Sequence, residues 1–440
     1  MIKKYSEYVL SPAPWLEELP FHWECKKIGT LFFERKTKVS DKDYQPLSVA
    51  KIGVVPQLDT AVKTDAGDNR KLVCVGDFVI NSRSDRKGSC GVSQLDGSVS
   101  LINIVLTPRS QWNSDYVHYL MRCQPFSEEY YRNGRGIVAD LWTTRFSEMK
   151  SILLPVPPKD EQDQIVRFLN WKVSSINKLI DVRKKQIDEL EEYKEAAITY
   201  YITHGLKKTK MCPTEIYWLR EVPENWKETK LKYILKKHKR EIPENAELLI
   251  CSNSGEVKKR GDSKLGLVAS SVDIYQGVKE GDLLIHGMDT WHGAIAISNY
   301  DGMCTPVVHV CTCNQSKRFV EYYLKMMAYT KVYKAISNGV RQNTSDFRSW
   351  DKVANLLIAF PEFEEQERIA DYLDKIVLST NKIVAEYEEQ LEHLHEMKHR
   401  VIYDVVTGKI DVRTVDIPEY EFIKEQYDDE NDVEIEEQED

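Results

Sequence analysis

No Cys-x-x-Cys pair occurs among the nine cysteines, which are scattered over 440 residues. That spacing excludes the common zinc and dithiol motifs, and an odd, dispersed set on so long a chain points to a reducing compartment rather than a disulfide framework. No apolar run approaches the thickness of a bilayer, and the opening MIKKYSEYVLSPAPW holds no stretch of signal-peptide length. A cytoplasmic protein, neither exported nor embedded, is therefore expected. A Walker A loop is absent, as are an Asn-Pro-Pro-Tyr/Phe motif and any Ser/His/Asp or paired-carboxylate signature. Catalysis on a nucleobase is thus not encoded in a recognisable form.

Proline is missing altogether from two long stretches, and glycine from all but their ends: Asp160 to Leu206 and Glu364 to Ile410. Each reads as one continuous helix. The second begins 204 positions after the first, and their apolar stripes follow one frame. Val173, Ile176, Ile180, Ile187, Leu190, Ala197 and Tyr201 keep a 3,4 spacing, as do Val377, Val384, Tyr387, Leu391, Leu394, Val401 and Val405. Two such stripes call for a partner, and a coiled coil between the copies is predicted. Its seam would include Arg183 and the equivalent pair Lys194 and Lys398, charges that cost stability unless paired or covered.

The repetition extends beyond the helices. WLEELPFHWECKKI, from Trp15, and WLREVPENWKETKL, from Trp218, share Trp15/Trp218, Leu16/Leu219, Glu18/Glu221, Pro20/Pro223, Trp23/Trp226 and Lys27/Lys230. The tryptophans are expected to pack a domain edge rather than touch a ligand. Gly76-Asp77, Ile80, Gly88 and Asp96-Gly97 recur as Gly281-Asp282, Ile285, Gly293 and Asp301-Gly302. Glycines and Asp-Gly pairs between short apolar runs indicate strands joined by turns. Between these fixed points one loop diverges fully: NSRSDRK at 81–87 against HGMDTWH at 286–292. A shared frame with a variable loop suits a recognition surface, although drift in an unconstrained loop would leave the same trace.

These signals give an α+β chain with an internal two-fold repeat. The expected order is a globular mixed domain at 1–158, a long helix at 159–206, a second domain at 207–361, a second helix at 362–410 and an acidic, disordered tail at 411–440. The net charge of −9 hides an asymmetry. From Asp416 onward there are thirteen acidic residues and one lysine. Set aside as a solvating tail, they leave a mildly basic remainder.

Two constellations invite a cofactor and lose to plainer readings. Gly134-Arg-Gly136-Ile-Val-Ala139 fits GxGxxA but follows EEYYRN rather than a strand, and its copy lacks the second glycine. His309, Cys311 and Cys313, with His292 and Cys304 nearby, could converge on zinc, yet the equivalent stretch from Asn103 to Thr107 has no ligand types. A half-buried strand that happens to use cysteine is preferred, and no metal site is expected. What remains is a set of cationic and polar residues on loops. In the first domain these are Arg83, Arg86, Lys87, Arg135 and Arg145, with Trp142 among them. In the second they are Lys258, Lys259, Arg260, His292, Arg341, Gln342, Asn343 and Arg348. Such side chains reach phosphates and base edges, so these positions are the candidate contacts to double-stranded DNA.

PPKDEQDQIVRFL from Pro157 and PEFEEQERIADYL from Pro361, the Gly-Asp frames and the duplicated domain–helix order together resemble the specificity subunits of type I restriction–modification systems. The resemblance covers nearly everything up to Asp411. It implies two target recognition domains, each reading one half of an asymmetric bipartite DNA sequence, on a non-catalytic chain whose helices form an antiparallel coiled coil as spacer. It further implies two methyltransferase subunits as partners, with restriction and translocation subunits joining through the complex. No cofactor would be bound by this chain; S-adenosylmethionine, ATP and Mg would belong to the partners. A helix of some forty-three residues at ~1.5 Å each spans about 65 Å, enough to track about nineteen base pairs at ~3.4 Å. The competing expectation is a coiled-coil protein-interaction scaffold that binds no nucleic acid, which would leave the divergent basic loops without a role.

Overall fold

A computed structural model describes residues 3–58, 67–83, 86–136, 142–261, 274–337 and 347–423. The chain divides into two compact units, residues 1–184 with 388–440, and residues 185–387. Each unit therefore contains one globular domain and a half of each long helix.

In unit 1 a four-stranded sheet is built from β1 (Phe32–Glu34), β2 (Phe78–Asn81), β3 (Cys90–Val92) and β4 (Asn103–Pro108), in the order β3-β2-β4-β1, with every pair antiparallel. In unit 2 the sheet comprises β5 (Leu235–His238), β6 (Leu283–His286), β7 (Ile295–Ile297) and β8 (Val308–Cys313), in the order β7-β6-β8-β5. The two orders are the same, and so are the registers: Ile80 faces Cys90 and Ile104, and Ile285 faces Ile295 and His309. The sequence repeat is thus a repeat of strand pairing.

The Gly-Asp motif explains itself here. Gly76 and Gly281 take positive φ of 90° and 81°, which a side chain would strain. The next residue is buried and ionic. Asp77 accepts from Arg35 Nε at 2.8 Å and Nη2 at 3.1 Å, from Cys74 N at 2.9 Å and from Thr107 Oγ1 at 2.6 Å. Asp282 likewise accepts both Arg240 Nη groups and Lys279 N. A charge taken out of water persists only when so fully paired. Asp96 and Asp301 each accept one backbone N–H at 2.8 Å, from Val75 and Glu280, and close the adjoining turns.

The long helices run Lys159–His204 and Phe363–Val406. Their lead-in motif has a mechanical reason. Gln162, 4 % exposed, donates to the Pro157 carbonyl and accepts from Asn113 N. Gln366, fully buried, donates to the Pro361 carbonyl at 2.8 Å and accepts from Ser316 N at 3.1 Å. Each glutamine ties its helix start to the preceding proline and to the short helix Ser114–Arg122 or Lys317–Tyr329. Both long helices stop at a glycine of positive φ, Gly205 and Gly408. A Cβ on Gly408 would stand 3.1 Å from Trp23, and one on Gly205 3.4 Å from Trp226. These tryptophans are 5 % and 8 % exposed, and they close each unit's core over a helix end.

The helices pack together antiparallel. In unit 1, Ile165 and Leu169 share a core with Val405, Val406, Phe32, Phe78, Tyr116 and Phe126, and Arg183 Nε donates to Gln390 Oε1 at 2.8 Å. In unit 2, Lys194 Nζ donates to Asn381 at 3.2 Å and the Tyr201 and Tyr372 hydroxyls lie 3.4 Å apart; Ile198, Ile202, Ile369 and Leu373 join the core around Phe319 and Tyr323. Among the seam positions Ile176 and Ile180 are buried, whereas Val173, Ile187, Leu190, Val384, Tyr387, Leu391 and Leu394 are half-buried. Lys398 is only 3 % exposed.

Residues 411–423 fall within the stretch that composition assigned to a solvated tail, yet they are seated on unit 1. Asp411 bridges Lys3, and Val412 is buried. The Val412 and Val415 carbonyls accept from Gln164 at 3.0 Å, and Ile423 pairs with Ser174 and Asn177. Val412, Val415 and Ile417 supply an apolar face that the count of acids conceals. The remaining stretch of that tail, 424–440, lies outside the described residues.

Candidate nucleic-acid interface

In unit 1 three segments meet beside the C-terminal end of β2. Arg83 and Arg135 each form a bridge with Thr143, and Thr144 N donates to the Ser82 carbonyl at 2.9 Å. This joint brings the exposed Arg83, Arg135 and Arg145 together although they are sixty-two positions apart at the extremes. The Gly134-Arg-Gly136 run is thus one side of a bridge at Arg135, and a Cβ on Gly134 would collide with Trp142 at 2.3 Å. Ala139 lies outside the described residues. Trp142 itself is committed to the scaffold: its indole N–H donates to the Tyr131 carbonyl at 2.9 Å and its ring lies 5.8 Å from Tyr131.

On one side of the joint Arg83, Arg86 and Lys87 line a depression with Arg122 and Tyr131. Lys87 is paired with Glu128 at 2.5 Å and lies over the Tyr131 ring. On the other side lies an open groove of ≈ 610 Å³ lined by Lys36, Lys71, Arg145 and Lys150, with Glu34 its one acidic lining residue among those described. Lys71 is held by the Asn103 carbonyl at 2.6 Å and by Glu34 at 3.4 Å, and Lys36 reaches Glu34 at 3.3 Å. Glu34 thus pairs with two of the four cations, and Arg145 and Lys150 are exposed. Lys36, Lys71 and Lys150 were not singled out from sequence. They sit on unrelated strand ends and turns, and only the register of the sheet and the return of 142–150 across it make them neighbours.

Unit 2 repeats the joint. Phe347 N donates to the Gly287 carbonyl at 3.1 Å, and Gly287 N donates to Val307 O at 2.9 Å. The divergent loop carries different chemistry over it. His286 and Asp289 pair at 3.0 Å, and this hydrogen bond holds the Asp289 carboxyl below the usual range. The exposed His292 ring lies 3.7 Å from Trp291, and Arg348 is exposed beside the joint. Lys258 and Lys259 project from the hairpin of Leu249–Cys251 and Val257–Lys259, paired with Glu256 at 3.0 Å and Glu247 at 2.5 Å, and Arg260 follows it half-buried. Arg341, Gln342 and Asn343 lie outside the described residues.

His309 and Cys311 are fully buried in β8. His309 Nε2 donates to the Phe347 carbonyl at 2.7 Å, and burial drives the Cys311 thiol well above its ordinary value. No group of three or more metal-ligating side chains occurs among the described residues. No helix there is long and apolar enough to cross a membrane.

Fold and surface thus define a duplicated α+β protein whose two matching sheets carry unlike polar loops and whose two long helices run antiparallel. The chain is similar to known proteins. Over 284 residues the chain is 23% identical to the type I restriction enzyme MjaVIII specificity subunit of Methanocaldococcus jannaschii, an alignment that takes in 60% of this chain and 64% of that protein. The chain therefore spans somewhat less than two thirds of this curated relative. Among solved structures, a chain from a study of complex assembly and conformational transition of the type I R-M system superposes with a TM-score of 0.65. It covers 91% of this chain and 100% of that one at 13% identity. The crystal structure of the HsdS subunit from Thermoanaerobacter tengcongensis covers 89% and 98% at 15% identity, with a TM-score of 0.46, too low to bear on the fold. No protein-family model matches. The resemblance noted in the sequence is thus met by a curated relative that is itself a type I specificity subunit.

Proposed function

We propose that this chain is the non-catalytic specificity subunit of a type I restriction–modification complex. It reads an asymmetric bipartite sequence in double-stranded DNA and directs methyltransferase and restriction subunits to it in the cytoplasm. S-adenosylmethionine, ATP and Mg are bound by those partners. The observation that carries the reading is the pairing of identity with difference. Two sheets share strand order, register and a buried Arg–Asp anchor, while the loops over the same joint present Arg83, Arg135 and Arg145 in one unit and Asp289, His292 and Arg348 in the other. Conserved framework with exchanged side chains is what reading two different half-sites requires.

Arg, Lys and His at these joints serve phosphates and base edges in the major groove, and DNA binding through several phosphates weakens steeply with salt. The test is a salt titration of duplex DNA binding by the purified chain with its methyltransferase partner. Affinity falling about a hundredfold or more between 50 and 200 mM salt is expected for several phosphate contacts. Absence of DNA affinity at low salt would leave the interaction-scaffold reading in its place.

A further inference from the structure

We infer that the basic groove of unit 1, lined by Lys36, Lys71, Arg145 and Lys150, is a docking site for the chain's own acidic end, residues 424–440, which competes there with nucleic acid. The competition rests on the DNA-recognition reading; the docking does not.

Three observations converge. The first is charge: residues 424–440 contain ten carboxylate side chains and one lysine, and the groove offers four cations against Glu34. Opposed polyelectrolytes of this kind attract over roughly a Debye length, about 8 Å at physiological ionic strength. The second is attachment. Residues 411–423 are fixed to unit 1, ending where Ile423 N donates to Ser174 Oγ at 3.3 Å and the Ile423 carbonyl accepts from Asn177 at 3.1 Å. The acidic end therefore starts from a set point on the same compact unit as the groove.

The third is reach. From Lys150 to Lys159 there are nine residues, and from Lys159 to Ser174 fifteen helical steps. At ~3.4 Å per extended residue and ~1.5 Å per helical residue, Ser174 lies at most about 53 Å from Lys150. Seventeen residues of acidic end have an extended contour of about 58 Å at the same rise. The straight-line distance is shorter than the chain path, so the end reaches the groove. A tether of this length also raises its effective concentration there, in the manner of any short linker.

Lys36 and Lys71 in the groove pair with Glu34, as Lys87 in the neighbouring depression pairs with Glu128, and the groove is preferred for its remaining lysine. Lys150 is exposed and forms no ion pair among the described residues. The carboxylates of 424–440 then occupy the cations that DNA phosphates need, and only DNA that also satisfies the base-reading loops displaces them. This arrangement would suppress non-specific binding, which is almost wholly electrostatic.

The test compares the full chain with a chain ending at Ile423, and with a full-length chain whose ten carboxylates in 424–440 are changed to Asn or Gln. Each is titrated, with the methyltransferase partner, against an arbitrary 30-base-pair duplex by fluorescence anisotropy at several salt concentrations. Both variants are expected to bind about tenfold tighter at 50 mM salt, with the gap closing as salt rises. Water-soluble carbodiimide, applied to the full chain without DNA, is expected to join acidic-end carboxylates to Lys36 or Lys150, and Lys150→Gln with Lys36→Gln to abolish those products. Equal DNA affinity in all three chains would overturn the competition. Higher affinity without carbodiimide products at the groove would overturn the site and leave only long-range repulsion. If none of the chains binds DNA, the recognition reading fails, and the carbodiimide products alone decide whether the end docks.

Discussion

Asp77 and Asp282 are the residues on which each sheet is hung. Asp77 is 1 % exposed and takes four hydrogen bonds, two of them from Arg35, whose guanidinium pKa is raised by that contact. Removing the carboxylate leaves a largely sequestered arginine without its partner. Asp77→Ala is expected to destabilise the chain by about 3 kcal/mol, and Asp77→Asn by less because the amide keeps part of the geometry. Urea denaturation measures both; a loss under about 1 kcal/mol for the alanine variant would show that the pair does not hold the sheet.

His118 gives unit 1 a pH dependence. It lies on the helix Ser114–Arg122, its Nε2 accepting from Arg122 at 2.7 Å, and burial together with that cation pushes its pKa down from 6.5 to about 3. Both ring nitrogens face donors, Arg122 at Nε2 and the Val92 N–H at Nδ1 at 3.3 Å, so a second imidazole proton finds no acceptor. The folded state thus disfavours the proton. Its contribution is fully present above pH 6.5 and is lost as pH falls from 6.5 toward 3. His118→Gln is expected to flatten that part of the stability curve, read by thermal unfolding at pH 7, 5 and 4; a parallel curve would mean that His118 is not the titrating group.

At the scale of elements, the lead-in motif was the most legible feature of the sequence, but its reason was not. Pro157 and Pro361 suggested helix starts. The role of the glutamine five residues on lies in two hydrogen bonds to groups outside the helix pattern. Gln366→Leu would strand the Ser316 N–H and the Pro361 carbonyl in a buried place, at an expected cost of about 2 kcal/mol. Circular-dichroism melting of the variant checks this, and an unchanged melt would show that water or a neighbour replaces the side chain. The seam was legible because periodicity is local. Arg183 and Lys194, disruptive in a seam on sequence grounds, instead donate to Gln390 and Asn381 across the helix pair.

At the scale of the molecule, the repeat makes a modular prediction. Each unit has its own sheet, its own Arg–Asp anchor and its own joint. Exchanging residues 1–158 for the equivalent unit of a relative is expected to change one half of the recognised sequence and leave the other intact. Mapping methylated bases in host DNA reads this directly; a change in both halves would contradict independent reading.

The amino-acid sequence by itself determined the duplication, the two unbroken helices, the turns at the Gly-Asp frames and the charge of the carboxyl end. All of these rest on composition and spacing along the chain, where periodicity of 3.6 or 2 and the special backbone of glycine and proline act locally. Only the tertiary structure decided which cations share a surface. Arg83, Arg135 and Arg145 meet through Thr143 and Ser82, Lys36, Lys71 and Lys150 join Arg145 around one groove, Trp142 turns inward to Tyr131, and Val412, Val415 and Ile423 anchor residues 411–423 to the first long helix. Such neighbourhoods are set by strand register and loop closure between distant segments, and no local pattern of residues encodes them.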